Sequence, residues 1–145
     1  MQTMKPLPFR TRRSAYPHFH RVVARYSDMD TEGHLNNVAL ASFYQDGRVA
    51  FLRGLIGNDA SFRFVIASIS INYLAEAHYP GEYDVGLGVS RFGTKSFDFG
   101  CGLFIGDDCV GVCDTTQVTI GERGAISLPE VLENLLRRHQ ILPTD

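Results

Sequence analysis

The chain has 145 residues, enough for one domain with a real hydrophobic core and no need of disulfide or metal staples. Its 14 basic and 16 acidic residues leave a formal charge of -2, which gives no basic excess for nucleic acid or for an anionic membrane surface. The 44% hydrophobic and 21% charged content is that of an ordinary globular protein, and no apolar run approaches the length of a membrane-spanning helix.

Residues 1–17 carry Lys5, Arg10, Arg12 and Arg13 and no acidic residue. They lack the continuous apolar stretch of a secretory signal, and Pro6, Pro8 and Pro17 spoil an amphipathic transit helix. An extended N-terminal arm is therefore expected over 1–17, lying on a single domain over 18–145. A first strand is predicted over 19–26. Next comes YSDMDTEGHLNN, residues 26–37, and then an apolar run with Leu40, Phe43, Tyr44, Gly47, Ala50, Phe51 and Leu55 at steps of three and four. That spacing predicts a helix over 38–56 with a broad apolar face. Gly47 costs such a helix about 1 kcal/mol relative to Ala, which a close approach to a sheet would explain.

Beyond Asn58 the period changes to two. Strands are predicted over 62–75, 82–91, 95–105 and 109–120, with short turns at 79–81, 92–94 and 106–108. A closing helix is expected with Ser127 as N-cap and Pro129 in its first turn. The cysteines are Cys101, Cys109 and Cys113, an odd number that suits reduced thiols and a cytoplasmic protein. Cys101 sits among apolar strand residues and reads as core. Cys109 and Cys113 lack the His or second Cys pair that a zinc site needs. One long apolar helix followed by a run of antiparallel strands means α+β, with a curved antiparallel sheet wrapped around the helix.

Residues 26–37 gather Asp28, Asp30, Glu32, His34, Asn36 and Asn37 directly before the helix. A calcium loop begun at Asp28 would need a bidentate Glu at its twelfth position, which is Ala39. Asp30 and His34 offer two ligands to a transition metal, one short of a catalytic zinc site. Capping alone accounts for Asn36 or Asn37 as N-cap and for acidic residues near the positive end of the helix dipole. A catalytic use draws on the same physics. Free N–H groups at the helix start can hold a developing oxyanion, and a carboxylate set just before them can act as base or nucleophile toward a carbonyl. Acyl transfer from an activated ester needs those parts and no metal.

The segment RYSDMDTEGHLNNVALASFYQDGRVAFL resembles the hotdog-fold acyl-CoA thioesterases of the 4-hydroxybenzoyl-CoA thioesterase group, in Tyr26, Asp28, Asp30, Gly33, His34, Asn36, Asn37, Tyr44 and Arg48. INYLAEAHYPGEYDVGLGV, FGTKSFDFGCGLF and ISLPEVLENLL extend the resemblance over about residues 18–138. It implies the hotdog fold and hydrolysis of an acyl-CoA thioester, or of an acyl-carrier-protein thioester, without a cofactor beyond the CoA of the substrate. Asp30 matches the family's catalytic carboxylate. His34 matches a histidine that orients Asp30 or the substrate. Backbone N–H groups around Gly33, Leu35, Asn36 and Asn37 become the oxyanion and substrate-binding candidates. Asp28 is expected to be structural, and Asp46 on the helix is a second carboxylate candidate. Glu32 stands where related plant acyl-carrier-protein thioesterases carry Asn, so their three-residue Asp/Asn/His site does not carry over whole. Gly47 stands where relatives usually have Ala. The resemblance also implies a homodimer or a dimer of dimers, with acyl-CoA between subunits. Two other classes fit the same fold: an acyl-thioester hydratase or dehydratase, and an acyl-CoA binder without turnover.

Overall fold

The computed structural model describes residues 7–59 and 61–143, so the expectation for the first six residues of the arm lies outside them. Strand β1 (His18–Val23) leads into the polar loop and helix α1 (Asn37–Ile56). Strands β2 (Phe64–Tyr73), β3 (Glu82–Phe92), β4 (Ser96–Ile105) and β5 (Asp108–Gly121) follow. A two-residue strand β6 (Gly124–Ala125), not foreseen in the sequence, and helix α2 (Glu130–Arg137) complete the chain. The sheet order is β1-β3-β4-β5-β2, antiparallel throughout, with β6 appended to β5. This is the α+β arrangement expected from the sequence, one curved sheet around one long helix.

Alternation decides which face of the sheet meets α1. Val85, Leu87 and Val89 pair with Leu103, Cys101 and Phe99, and all six are buried against the helix side. The intervening residues are glycines in register, Gly86 opposite Gly102 and Gly88 opposite Gly100. Their bare backbone forms a floor on the opposite face. Tyr16 rests on Gly86 and Gly102, and Ile141 rests on Gly88 and Gly100. The residues before β1 do not form one extended run. They fold into two 3-10 turns, Pro8–Thr11 and Arg13–Ala15, because Tyr16 turns back to donate its hydroxyl to the Arg10 carbonyl at 2.6 Å. Arg10, itself buried, reaches Asp114 at 3.0 Å. The C-terminal segment is fastened to the same face by Val89 N–H to the His139 carbonyl at 2.8 Å and Leu142 N–H to the Ala15 carbonyl at 2.9 Å.

Helix α1 starts where Asn36 accepts the Ala39 N–H on its side-chain oxygen at 2.7 Å. It ends at Gly57, whose positive φ of 62° glycine adopts freely. At Gly47 the helix lies close against the sheet. A methyl group there would sit 2.8 Å from Val85 Cγ1 and 3.3 Å from Leu87 Cδ1. Helix α2 begins after Pro129, and Ser127 is not its cap. Leu128 N–H donates to the Thr94 carbonyl at 2.8 Å, which keeps this stretch extended until Pro129. Leu132 and Leu136 of α2 are fully buried and close one end of the core.

Candidate active site

Strand β1 stops at Val23, short of the expected 26, because Asp28 folds the chain back on itself. Its carboxylate accepts the Arg25 N–H at 2.8 Å and the Arg25 guanidinium at 3.1 Å, closing a 3-10 turn over Tyr26–Asp28. Burial alone would raise the Asp28 carboxyl, but these Arg25 contacts outweigh it and hold the group below the ordinary carboxylate range. The Asp28 carbonyl then accepts Asn36 N–H at 2.8 Å. Asp28 is thus the buried anchor that ties the start of the loop to the start of α1.

Asp30 stands on the exposed side of the same loop. One carboxylate oxygen, Oδ1, accepts the backbone N–H of Glu32 at 2.9 Å and of His34 at 3.1 Å. The loop is closed further by Asp30 N–H to the His34 carbonyl at 2.8 Å, and Gly33 makes the turn with a φ of 83°. Oδ2 takes no part in these bonds.

The far limb of the loop pairs with the segment after β2. Leu35 N–H donates to the Ala77 carbonyl at 2.8 Å, and His34 bridges to His78. This pairing brings Glu76 to the site, with its Oε2 3.2 Å from His34 Nε2 and 3.9 Å from His78 Nε2. The two imidazole rings meet edge to face with centroids 5.2 Å apart.

A cleft of about 390 Å³ opens here, lined by Asp30, His34, Leu35, Asn37, Leu40 and residues 73–77. Leu35, Leu40, Leu74, Ala75 and Ala77 make it largely apolar, with two carboxylates, Asp30 and Glu76, on its wall. An apolar cleft with a few convergent polar groups is the usual form of a small-molecule site.

The structure sorts the four backbone candidates. Gly33 N–H is spent on the Asp30 carbonyl, Leu35 N–H on Ala77 and Asn36 N–H on Asp28. Asn37 is the first helical residue, where an N–H has no intrahelical acceptor, and it lines the cleft. The positive end of the α1 dipole acts at the same place.

Asp46 lies elsewhere, in a cleft between α1 and β1 with His20, Arg25, Ser42 and Phe43, and is not brought together with Asp30 or His34. Tyr44 and Phe51 are buried packing residues, Phe51 being held among Phe99, His18 and His139. Arg48 is buried too, its guanidinium 4.0 Å from the Cys113 sulfur. Cys101 and Cys113 face each other across β4 and β5 as free thiols. Burial pushes the Cys113 thiol up to about 11 and Cys101 higher still, so neither is a ready nucleophile. Among the described residues no helix is long and apolar enough to cross a membrane.

Glu76 and His78 are the site residues that sequence reasoning missed. They stand some forty positions beyond the loop, and their only local mark is a short polar interruption, Glu76-Ala77-His78, after an apolar strand.

The family model described as the thioesterase-like superfamily matches residues 24–136, which includes the loop, both walls of the cleft and most of α2. The chain is similar to the PA5185 protein of Pseudomonas aeruginosa, with 26% identity, a TM-score of 0.81, and coverage of 90% of this chain and 96% of that one. It shares its fold with a Thermus thermophilus thioesterase solved with coenzyme A and zinc, at 21% identity and a TM-score of 0.79, covering 86% of this chain and 94% of that one. The YsmA protein of Bacillus subtilis is 25% identical over 92 residues, which are 62% of this chain and 63% of that relative's length.

Proposed function

Because the chain belongs to the thioesterase-like superfamily, we propose that it hydrolyses an acyl-CoA thioester in the Asp30 cleft, giving a carboxylate and free CoA. The observation that carries this is that Asp30, whose Oδ2 lies outside the loop's hydrogen bonds, and Asn37, the first residue of α1, line one apolar cleft.

The chemistry follows from those parts. Two backbone N–H groups hold Asp30 Oδ1 and so fix the direction of Oδ2. As general base, Asp30 draws a proton from a water molecule as that water attacks the thioester carbonyl. As nucleophile, Oδ2 attacks the carbonyl itself and water then cleaves the mixed anhydride. Either way the carbonyl oxygen becomes an oxyanion, and Asn37 N–H with the dipole of α1 stabilises it. The carbon–sulfur bond breaks, and the CoA thiolate leaves and takes up a proton. His34, whose own N–H is bound to Asp30, orients the water or the substrate. Every group used belongs to the chain, and the CoA arrives as part of the substrate.

The acyl tail occupies the apolar part of the cleft along Leu35, Leu40 and Leu74. An acyl-carrier-protein thioester presents the same reacting atoms. The reading includes a homodimer or a dimer of dimers, with the partner closing the cleft beside β2, and a cytoplasmic setting that suits three free thiols.

A panel of short, long and aromatic acyl-CoAs, assayed for thiol release with a disulfide dye, tests the proposal. Turnover of at least one thioester is expected. An inert wild-type protein across the panel and against acyl-carrier-protein thioesters would instead favour a binder without turnover.

A further inference from the structure

We propose that the acyl group taken by this cleft ends in a carboxylate, received under α1 by the guanidinium of Arg48 and the hydroxyl of Thr115. This rests on reading the Asp30 cleft as a thioester site, and it names the class of substrate: the CoA monothioester of an aliphatic dicarboxylic acid. Behind it stands a group of buried polar side chains with nothing to bind. Arg48 is 3% exposed, and its one polar contact among the described residues is the Cys113 sulfur at 4.0 Å. The hydroxyls of Thr115 and Thr119, also buried, have no hydrogen-bond partner among those residues. Asp114, between Cys113 and Thr115, lies on the other face of the sheet, where it pairs with Arg10 at 3.0 Å. Buried polar groups are normally hydrogen-bonded and a buried charge is normally paired. An unpaired guanidinium near an unpaired hydroxyl is the complement of an anion.

Both walls of the Asp30 cleft lead to this place. On α1, Asn37, Leu40, Tyr44 and Arg48 follow one another at helical steps, and the first two line the cleft. Arg48 lies ~16 Å beyond Asn37 along the axis, and helical side chains lean toward the N-terminus, which is the cleft end. On the sheet, Tyr73, Ile71 and Ile69 of β2 pair with Gly111, Cys113 and Thr115 of β5 and share their face. Tyr73 lines the cleft. The Tyr44 hydroxyl fits against Gly111, where a methyl group would sit 2.7 Å from it, and Arg48 reaches Cys113, ~7 Å farther along β5. Helix α1 itself packs over β1, β3 and β4, so this side is covered by its long side chains alone. Ile69 and Tyr73 therefore stay about half exposed although they face the helix side. The two walls meet again at the far end, where Leu52 and Ile56 reach Phe64.

A methylene chain of matching length, laid along Leu40, Tyr73 and Ile71 with its thioester beside Asn37, ends at Arg48. The planar guanidinium donates paired hydrogen bonds to a carboxylate, and Thr115 adds its hydroxyl. A methyl-ended chain of the same length leaves both groups buried and unmatched, so the site selects against it. The distal carboxylate takes no part in the hydrolysis and decides only which thioester is held.

The test uses CoA thioethers, which are not hydrolysed, in matched pairs ended by a carboxylate or by a methyl group, with lengths from the succinyl to the sebacyl analogue. Titration calorimetry compares wild type, Arg48→Met and Thr115→Val. In wild type the carboxylated ligand of the best length is expected to bind on the order of 10- to 100-fold more tightly than its methyl-ended match. Each substitution removes most of that ratio. Neither lowers the melting temperature of the free protein, because each deletes a buried group that has no partner. Should Arg48→Met fail to fold, wild type and Thr115→Val decide. Equal affinity for the two ends at every length in wild type, as in a site that holds only water, overturns the proposal, and so does a preference that survives in the folded variants. Thiol release from the matching thioesters separates this from the hydrolase reading. The expected preference in a protein that cleaves none of them overturns the hydrolase reading alone, whereas cleavage without preference overturns the dicarboxylate assignment alone.

Discussion

Asp28 and Asp30 stand two positions apart and do opposite work. Asp28 is buried and fully engaged by Arg25, whereas Asp30 is exposed and, among the described residues, keeps one oxygen free. Asp28→Ala removes the acceptor for the Arg25 N–H in a buried site, and a loss of about 2 kcal/mol is expected by denaturant melting at neutral pH. The sign of its pH dependence follows from the depressed native carboxyl. Its contribution is present above the ordinary carboxylate pKa and is lost as pH falls through the lower native value, so the gap between wild type and variant narrows in acid. The sequence shows this pair, His34 and an asparagine cap at Asn36 or Asn37, because they are near neighbours and the chemistry of a helix start is local. Glu76 is invisible at that level. Its place depends on a strand-like pairing between segments some forty residues apart, which no spacing rule reports.

At the scale of elements, period carries most of the fold. The apolar face of α1 and the alternation in β3 and β4 are both written in the chain, and each element lies within a few residues of its expected place. The differences arise where a side chain or a long-range backbone bond ends an element. Asp28 ends β1 early, and the Leu128–Thr94 hydrogen bond delays α2 to Glu130. Gly47 gives the most direct test of packing. Alanine would add about 1 kcal/mol of helix propensity, but its methyl would press on the stiff β-branched Val85 at 2.8 Å. Overpacking of this kind costs about 1–3 kcal/mol, so Gly47→Ala is expected to be net destabilising. Val85→Ala in the same chain should recover part of the loss, seen as a favourable coupling in a double-mutant cycle of unfolding free energies.

For the whole molecule, the sheet has one edge that calls for a cover. Strand β2 ends the order β1-β3-β4-β5-β2, and Val65, Ile66, Ile69 and Tyr73 are each between 44% and 54% exposed along it. A long apolar edge with unpaired backbone groups is a template for another strand. Tyr73 also lines the Asp30 cleft, so a second copy joined along β2 would stand at the mouth of the site. On the proposed reading of a homodimer joined along β2, Ile69→Lys is expected to shift that dimer to monomer in light scattering and to lower the proposed turnover, while the far-ultraviolet circular dichroism is retained. The convex face shows the limit of sequence reading at this scale. Alternating glycines in β3 and β4 look like weak strand positions, yet they are the floor that seats Tyr16 and Ile141, and only the register of the two strands reveals it.

The central claim is that Asp30 acts on a thioester, and Asp30→Asn tests it most directly. Asparagine keeps an Oδ1 that can accept the Glu32 and His34 N–H bonds, so the loop stays closed while the charge and the basic oxygen are lost. Thiol release from the best acyl-CoA of the panel, measured for both proteins side by side, should fall on the order of 100-fold or more in the variant. Equal rates in two folded proteins would contradict the account and turn attention to Asp46 in the neighbouring cleft.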